Sequence, residues 1–292
     1  MVDSLKSVIL PSPNLINLEL TLNSGQSFRW IRKGSLFEGI LGDSLVCLRD
    51  NGKSIELINC EADSEPILKL LRCYFRLDDR WDEIVEALDK DTHVAQALLK
   101  YQGLRLLNQD PWETLIAFVT SSVSSIAKVS YCLEGLCQQF GSRLSLGTSA
   151  RRAFPSPYEL ARASEKELRS VGLGFRARYV KEIAQYFASN EIKLEFLKER
   201  PYEDAKQWLM ELPGIGPKVA DCVLLYSLDK TQAFPVDRWI ERVLDNWYSA
   251  HKRRWVKDTH KWASQHFGEY AGYAELYLFQ HIRTDSRQRN RK

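Results

Sequence analysis

Apolar and polar residues alternate along the front of the chain. Leu15, Leu18, Leu20 and Leu22 alternate in part, and further strand-like runs follow at 26–31, 36–41, 45–48 and 54–58. Lys33-Gly34, Gly42-Asp43 and Asn51-Gly52 punctuate them. Such pairs suit tight hairpins, whose turns need positive φ. The pattern predicts an antiparallel sheet over roughly residues 12–60. Beyond Asp63 the period becomes helical: Ile67, Leu68, Leu70, Leu71, Tyr74 and Phe75 make one apolar face. Later helix starts carry their own chemistry. Asp110-Pro111-Trp112-Glu113 and Ser156-Pro157-Tyr158-Glu159 place a capping side chain, Pro at the first helical position and Glu at the third, and Ser164 to Glu167 is another capping box. The pattern predicts no strand after residue 108. The fold class is therefore α+β: an N-terminal antiparallel β-sheet domain with flanking helices at 1–108, then an all-α domain at 109–292. No internal repeat or low-complexity segment interrupts it.

At 44% hydrophobic and 27% charged residues, the composition is that of a globular chain, which excludes a disordered, collagen-like or disulfide-framework protein. No apolar run approaches the ~20 residues that span a bilayer. Residues 1–14 carry one lysine and no long apolar core, so they do not read as a secretory signal. Six cysteines (Cys47, Cys60, Cys73, Cys132, Cys137 and Cys222) are scattered in apolar segments without a C-x-x-C pair, and are expected to be buried reduced thiols of an intracellular protein. No cysteine follows Cys222, so a C-terminal iron–sulfur cluster has no local ligands. The net charge of +3 is unevenly spread: residues 1–108 hold 13 basic and 16 acidic residues, the remainder 28 and 22. The last ten residues carry Arg283, Arg287, Arg289, Arg291 and Lys292 against Asp285. A basic back half suits an anionic partner, and a solvated tail accounts for its end equally well.

The most informative stretch is Leu212-Pro213-Gly214-Ile215-Gly216-Pro217-Lys218-Val219-Ala220-Asp221. A helix at about 203–211 meets a glycine-rich turn, and a second helix opens on Pro217. Gly214 and Gly216 allow close backbone approach, and the N–H groups of the turn and of the next helix favour a phosphate. This is a helix–hairpin–helix, which grips a DNA backbone without reading sequence. A plain helical turn with a C-cap glycine would need only one of the two.

Lys218 stands at the mouth of the second helix, whose partial positive charge disfavours a neighbouring ammonium. Nineteen residues on, Asp237 precedes the amphipathic run Trp239, Ile240, Val243, Leu244, Trp247, where it would cap a helix. A helix of about 11 residues and a short loop can return that cap to the start of the first helix. An amine and a carboxylate in one cleft make a nucleophile site: the amine attacks, and the carboxylate steadies positive charge developing on a sugar ring. Taken singly, a solvated lysine and a capping aspartate are the plainer readings.

Together these residues resemble the helix–hairpin–helix Gly/Pro…Asp superfamily of DNA glycosylases, and within it the 8-oxoguanine DNA glycosylase/AP lyase family. Ser24-Gly25-Gln26-Ser27-Phe28-Arg29-Trp30, Tyr101-Gln102-Gly103-Leu104-Arg105-Leu106-Leu107 and Gly172-Leu173-Gly174-Phe175-Arg176-Ala177-Arg178-Tyr179 are similar to three further signatures of that family. The resemblance covers nearly the whole chain. It implies a base-excision repair enzyme that extrudes 8-oxoguanine from the duplex. Lys218 would attack the anomeric carbon, and a Schiff base and β-elimination would follow. Asp237 would stabilise the sugar cation. The Gly25 carbonyl would accept the N7–H that distinguishes 8-oxoguanine from guanine, with Phe279 and Cys222 on the two faces of the base. Phe175 would wedge into the stack and Arg176 would bond the opposite base. The resemblance implies a monomer acting on double-stranded DNA inside the cell, with no cofactor beyond a monovalent cation on the hairpin carbonyls.

The chain departs from the family pattern. Ser121-Ser122 is followed by Val123-Ser124-Ser125 where eukaryotic members carry asparagines, and Lys128 replaces an arginine. This predicts weak preference for cytosine opposite the lesion. Glu275 stands where a glutamine reads the Watson–Crick edge; a carboxylate there can accept from N1–H and N2–H of guanine at the cost of a buried charge. Trp239 replaces a histidine near a phosphate. The rival readings are a monofunctional alkyl-base glycosylase without a lysine nucleophile, an iron–sulfur glycosylase for other oxidised bases, and a non-catalytic DNA-binding module.

Overall fold

The computed structural model describes residues 7–12, 15–52, 54–58, 64–252 and 258–289. The first layer is a five-stranded antiparallel sheet in the order β1-β5-β4-β3-β2, from β1 (Ser7–Leu10), β2 (Ile31–Lys33), β3 (Leu36–Leu41), β4 (Ser44–Asp50) and β5 (Ile55–Ile58). Gly34, Gly42 and Gly52 all take positive φ in its hairpins, as the punctuation requires. Phe37, Leu41, Val46, Leu48, Ile55 and Leu57 turn to one core with Leu71, Tyr74 and Phe75 of the helix α2 (Glu65–Tyr74) and its end.

The segment 15–30 differs from the strand expected there. Residues Leu18–Leu22 form a short helix, α1, capped by Asn17, whose side chain accepts from the Leu20 N–H at 2.8 Å. Leu18, Thr21 and Leu22 are its buried face; their i, i+3, i+4 spacing is helical. After it the chain bends through 23–26 and runs without a strand partner until Ile31. The buried Gln26 explains why. Its Nε2 donates to Arg105 O at 2.8 Å and Ser24 Oγ at 2.9 Å, and its Oε1 accepts from Leu107 N–H at 2.8 Å. The backbone is held by a side-chain clasp to 105–107 instead of a ladder.

A second, larger core fills the helical part: α3 (Trp81–Leu88), α4 (Thr92–Lys100), α5 (Pro111–Ser121), α6 (Ile126–Phe140), α7 (Pro157–Arg162), α8 (Glu165–Leu168), α9 (Arg176–Asn190), α10 (Tyr202–Met210), α11 (Pro217–Ser227), α12 (Arg238–Trp247), α13 (Thr259–Phe267) and α14 (Ala271–Arg289). Ser156 and Ser164 form the expected capping boxes with Glu159 and Glu167. Asp110 caps α5, but Glu113 turns to Arg29 at 3.2 Å.

A hairpin lies where no strand was expected. β6 (Arg143–Leu146) and β7 (Ser149–Arg152) pair around Gly147, at φ +57°. The segment is too polar to announce itself, because it docks on the first sheet through Arg151, whose guanidinium donates to Arg29 O, just before β2, at 2.8 Å and to Glu38 O of β3 at 3.4 Å. The thiols also depart from uniform burial. Cys132, Cys137 and Cys222 are buried, Cys47 is half-buried and Cys73 exposed, all five free. Cys60, and the side chains of Arg287, Arg289, Arg291 and Lys292 in the basic tail, lie outside the described residues, as do 1–6 and 13–14 of the N-terminal segment. Among the described residues no helix is long and apolar enough to cross a membrane.

Replacing Gln26 by Leu leaves the Arg105 carbonyl and Leu107 N–H buried and unpaired. It should cost about 2–3 kcal/mol of stability, read as a lower urea midpoint at unchanged slope.

Candidate active site

The glycine-rich turn joins α10 to α11 as expected. Gly214 takes φ +78°, and a Cβ there would lie 2.5 Å from the Tyr179 ring. A Cβ on Gly216 would meet nothing within 4 Å. One glycine lets the turn seat on a neighbouring ring, and the other leaves the backbone open for an approaching oxygen. Buried Asp221 locks the two helices together. It accepts from Tyr202 Oη and pairs with Lys206 at 2.9 Å.

Pro217 opens α11 and puts Lys218 one residue into it. Its Nζ donates to Ser121 Oγ at 3.1 Å and lies 5.1 Å from the centre of the Phe118 ring. Ser121 in turn donates its proton to Phe118 O at 2.8 Å, so it offers the amine a lone pair. Asp237 caps α12 as the sequence suggested, its Oδ1 accepting from Trp239 N–H at 2.8 Å and Ile240 N–H at 2.9 Å. Lys218 and Asp237 open onto one cleft of about 500 Å3.

The same cleft collects the residues expected around a base. Gly25, Cys222, Glu275 and Phe279 all line it. Gly25 takes φ +104°, and a Cβ would come within 2.8 Å of Ile126 Cδ1 and 3.6 Å of Phe279 Cε1. Ile126, with Arg283 Nη1 at 3.0 Å, leaves no room for a side chain there, and Phe279 lies in ordinary contact beside it. Burial pushes the Cys222 thiol up to about 12, which makes it a neutral wall and not a nucleophile. Glu275 departs from the buried anion anticipated above. Burial first, and the Asp237 charge second, push its carboxyl well above the usual carboxylate range. It accepts from Tyr226 Oη at 3.2 Å. A neutral acid has both a carbonyl to accept with and a hydroxyl to donate.

The outer rim holds the other expected residues. Val123 is 80% exposed and Phe175 55% exposed, and Phe175 meets Tyr179 edge-on at 6.3 Å. Lys128 is exposed but folds back over the Tyr131 ring at 4.8 Å. Arg176 differs from expectation: its guanidinium is turned inward, buried, and bonded to the carbonyls of Ser122 and Val123. Sequence reasoning missed Ser121 as the partner of Lys218, Phe118 and Tyr226 stacked behind it at 5.4 Å, and Arg238 and Arg242 at the mouth. The arginines had a signal, the i, i+4 spacing directly after the Asp237 cap. The serine had none, since only the return of α5 to α11 brings it to the amine.

The fold and this cleft define a base-excision DNA glycosylase scaffold, and the comparisons agree. Residues 116–269 match the model of the HhH-GPD superfamily base excision DNA repair protein, and residues 8–115 that of the 8-oxoguanine DNA glycosylase, N-terminal domain. The N-glycosylase/DNA lyase of Saccharomyces cerevisiae is 31% identical over 88% of this chain and 81% of its own. That of Arabidopsis thaliana is 32% identical over 90% and 76%. The 8-oxoguanine glycosylase/lyase of Clostridium acetobutylicum, solved with double-stranded DNA containing cytosine opposite 8-oxoG, superposes with a TM-score of 0.87 at 27% identity, covering 97% of this chain and 99% of that one. The chain belongs to the 8-oxoguanine N-glycosylase/DNA lyase family.

The raised Glu275 carboxyl has a sign that can be checked. Between the ordinary carboxylate range and its higher folded value, the native state holds a proton that the unfolded chain has lost. Burial of Glu275 therefore costs stability that grows as pH rises through that window and vanishes below it. Glu275→Gln should melt higher than the parent at pH 8 and level with it near pH 4, by calorimetry.

Proposed function

We propose that the protein removes 8-oxoguanine from double-stranded DNA and then nicks the strand, with Lys218 as the nucleophile of both steps. The observation that carries this reading is that an amine bonded to a neutral hydroxyl, Ser121, shares one cleft with the Asp237 carboxylate. A base inside a duplex shields its glycosidic bond, so the lesion must be turned out of the stack. The extruded base would lie between Phe279 and Cys222, its N7–H on the Gly25 carbonyl and its Watson–Crick edge on neutral Glu275. The Lys218 amine would then attack C1′. The glycosidic bond breaks, the electron pair leaves with the base, and the base takes up a proton. Asp237 offsets the positive charge that the sugar carries in passing. Loss of a proton from nitrogen and opening of the sugar ring give the imine, whose acidified C2′ proton is removed as the 3′ phosphate departs. Hydrolysis of the imine frees Lys218.

Arg238, Arg242 and the open hairpin at Gly216 would hold the flanking phosphates, and binding should weaken as salt rises. The open backbone at Gly216 fits a monovalent cation held by the carbonyls of the turn, which would draw a phosphate oxygen to it. Val123 has no polar group for cytosine, and Lys128 is engaged with Tyr131, which supports low selectivity for the opposite base. The protein would work as a monomer inside the cell, at DNA.

Incubation with 8-oxoguanine duplex and borohydride should leave the protein covalently attached to DNA. Lys218→Gln should abolish both attachment and excision while still binding the duplex, and persistence of either would move the nucleophile elsewhere. Excision from duplexes with C, A, G or T opposite the lesion should differ little; activity confined to the C duplex would contradict the assignment of Val123 and Lys128.

A further inference from the structure

A second cleft of about 500 Å3 lies between the sheet and the helical part. It opens at the start of α5, whereas Ser121, at the end of that helix, lines the first. Phe28, Trp30, Trp112 and Phe187 line the second cleft, with the Trp112 and Phe187 rings in contact at 5.3 Å. Both indole N–H groups are already engaged: Trp30 donates to Tyr74 Oη at 2.7 Å and Trp112 to Pro155 O at 2.9 Å. The two indoles therefore offer only apolar and π surface to whatever enters.

Three carboxylates face the same space. Asp43 comes from the β3–β4 hairpin, Asp110 caps α5, and Glu195 lies in the turn Leu194–Lys198 after α9. Among the described residues none of the three has an ion-pair partner. Their charges are close enough to be felt. Desolvation by the surrounding walls first, then the charges of Glu195 and Asp43, push the Asp110 carboxyl above its ordinary range. Glu113 is already paired with Arg29 at 3.2 Å, and Lys193 is the one unpaired cation among the described residues lining the cleft. The excess negative charge repels a phosphate backbone, so the cleft does not extend the DNA surface. Nor does one metal ion answer it: among the described residues no group of three acidic, histidine or cysteine side chains is placed to hold one. The match is an organic cation whose charges are spaced apart.

We propose that this second cleft binds a linear polyamine, its ammonium groups on Asp43, Asp110 and Glu195 and its methylene segments against the aromatic wall. Size and place both suit a small ligand, since such sites are commonly a few hundred Å3, mostly apolar, and set between structural units. Ammonium groups gain from carboxylates and from aromatic faces alike, and the methylenes between them cover apolar surface as a lysine stem does. The ligand would touch the sheet through Asp43 and the helical part through Asp110 and Glu195, so binding ties the two together and stabilises the folded chain.

Calorimetric titration of the DNA-free protein with spermidine tests this. One molecule should bind per chain, more tightly than the shorter diamine putrescine, and magnesium at equal ionic strength should not displace it. Asp43→Asn combined with Glu195→Gln should weaken binding about tenfold or more. Both residues are exposed and cap no helix, so the fold should survive, and Asp110 is left in place because it caps α5. The same charge change at Asp82 and Glu86, exposed on α3 and outside the cleft, should leave binding unaltered. Lys193→Gln, which removes the competing cation, should tighten it about twofold. No binding of spermidine would overturn the proposal. Equal weakening by the two double variants, or displacement by magnesium, would overturn it too, reducing the effect to a counterion atmosphere. A trilysine peptide that binds where spermidine does not would make the cleft a protein-docking site, again against the proposal. The inference does not rest on the glycosylase reading, and with no DNA present the two fail separately.

Discussion

The Gln26 amide is the joint on which the cleft depends. It belongs to the chain segment that leaves the sheet, yet both of its ends are satisfied by the backbone at 105–107, where the chain passes towards the helices. Gln109 Nε2 adds a bond to Gln26 O at 2.7 Å. A buried amide with one partner missing is costly, so the two stretches hold one relative position. That fixes Gly25, one residue earlier, against Phe279 on the last helix. A sheet and a helical bundle thereby make one wall of a cleft that neither could form alone.

Opposite that wall, backbone dipoles and burial distribute charge. Lys218 and Asp237 each sit at the start of a helix, but in opposite roles. Lys218 reaches from the start of α11 to the Ser121 hydroxyl, while the N-terminal field of α12 draws the Asp237 carboxylate onto two N–H groups. Glu275 has no helix start to rest on and lies near Asp237, so the same carboxyl chemistry goes to the neutral side. Two carboxyls with opposite environments thus share one cleft, and in the function proposed above the first faces the sugar and the second, a donor–acceptor pair, faces the base.

The legible features were those whose cause is local. The caps at Ser156 and Ser164, the Gly214–Gly216 turn and the Asp237 cap follow from residues within one turn of each other. The misread ones depend on partners far away in sequence. Leu15 to Leu22 satisfy a strand period as well as a helical one, and the Asn17 cap with burial at Leu18 and Leu22 decides for the helix. The β6–β7 hairpin is polar because it is anchored by Arg151 instead of an apolar face. Ser121 meets Lys218 across 97 positions, and Arg176 reaches the carbonyl of Ser122 across 54. Motif similarity located Arg176 at the DNA-facing rim, but only the packed structure shows that its donors are spent inward.

The turn after α5 brings these threads together. Its first residue accepts from the Lys218 amine and its third is an exposed apolar side chain, so what holds the turn also sets how far that side chain stands from the amine. A loop fixed by glycine would have given the same dihedrals without strain, but would have had no side chain to offer. Valine supplies the volume at the expense of backbone comfort, and a buried arginine offsets that cost with bonds to two successive carbonyls. One buried guanidinium therefore steadies both the exposed valine and the serine that meets the Lys218 amine.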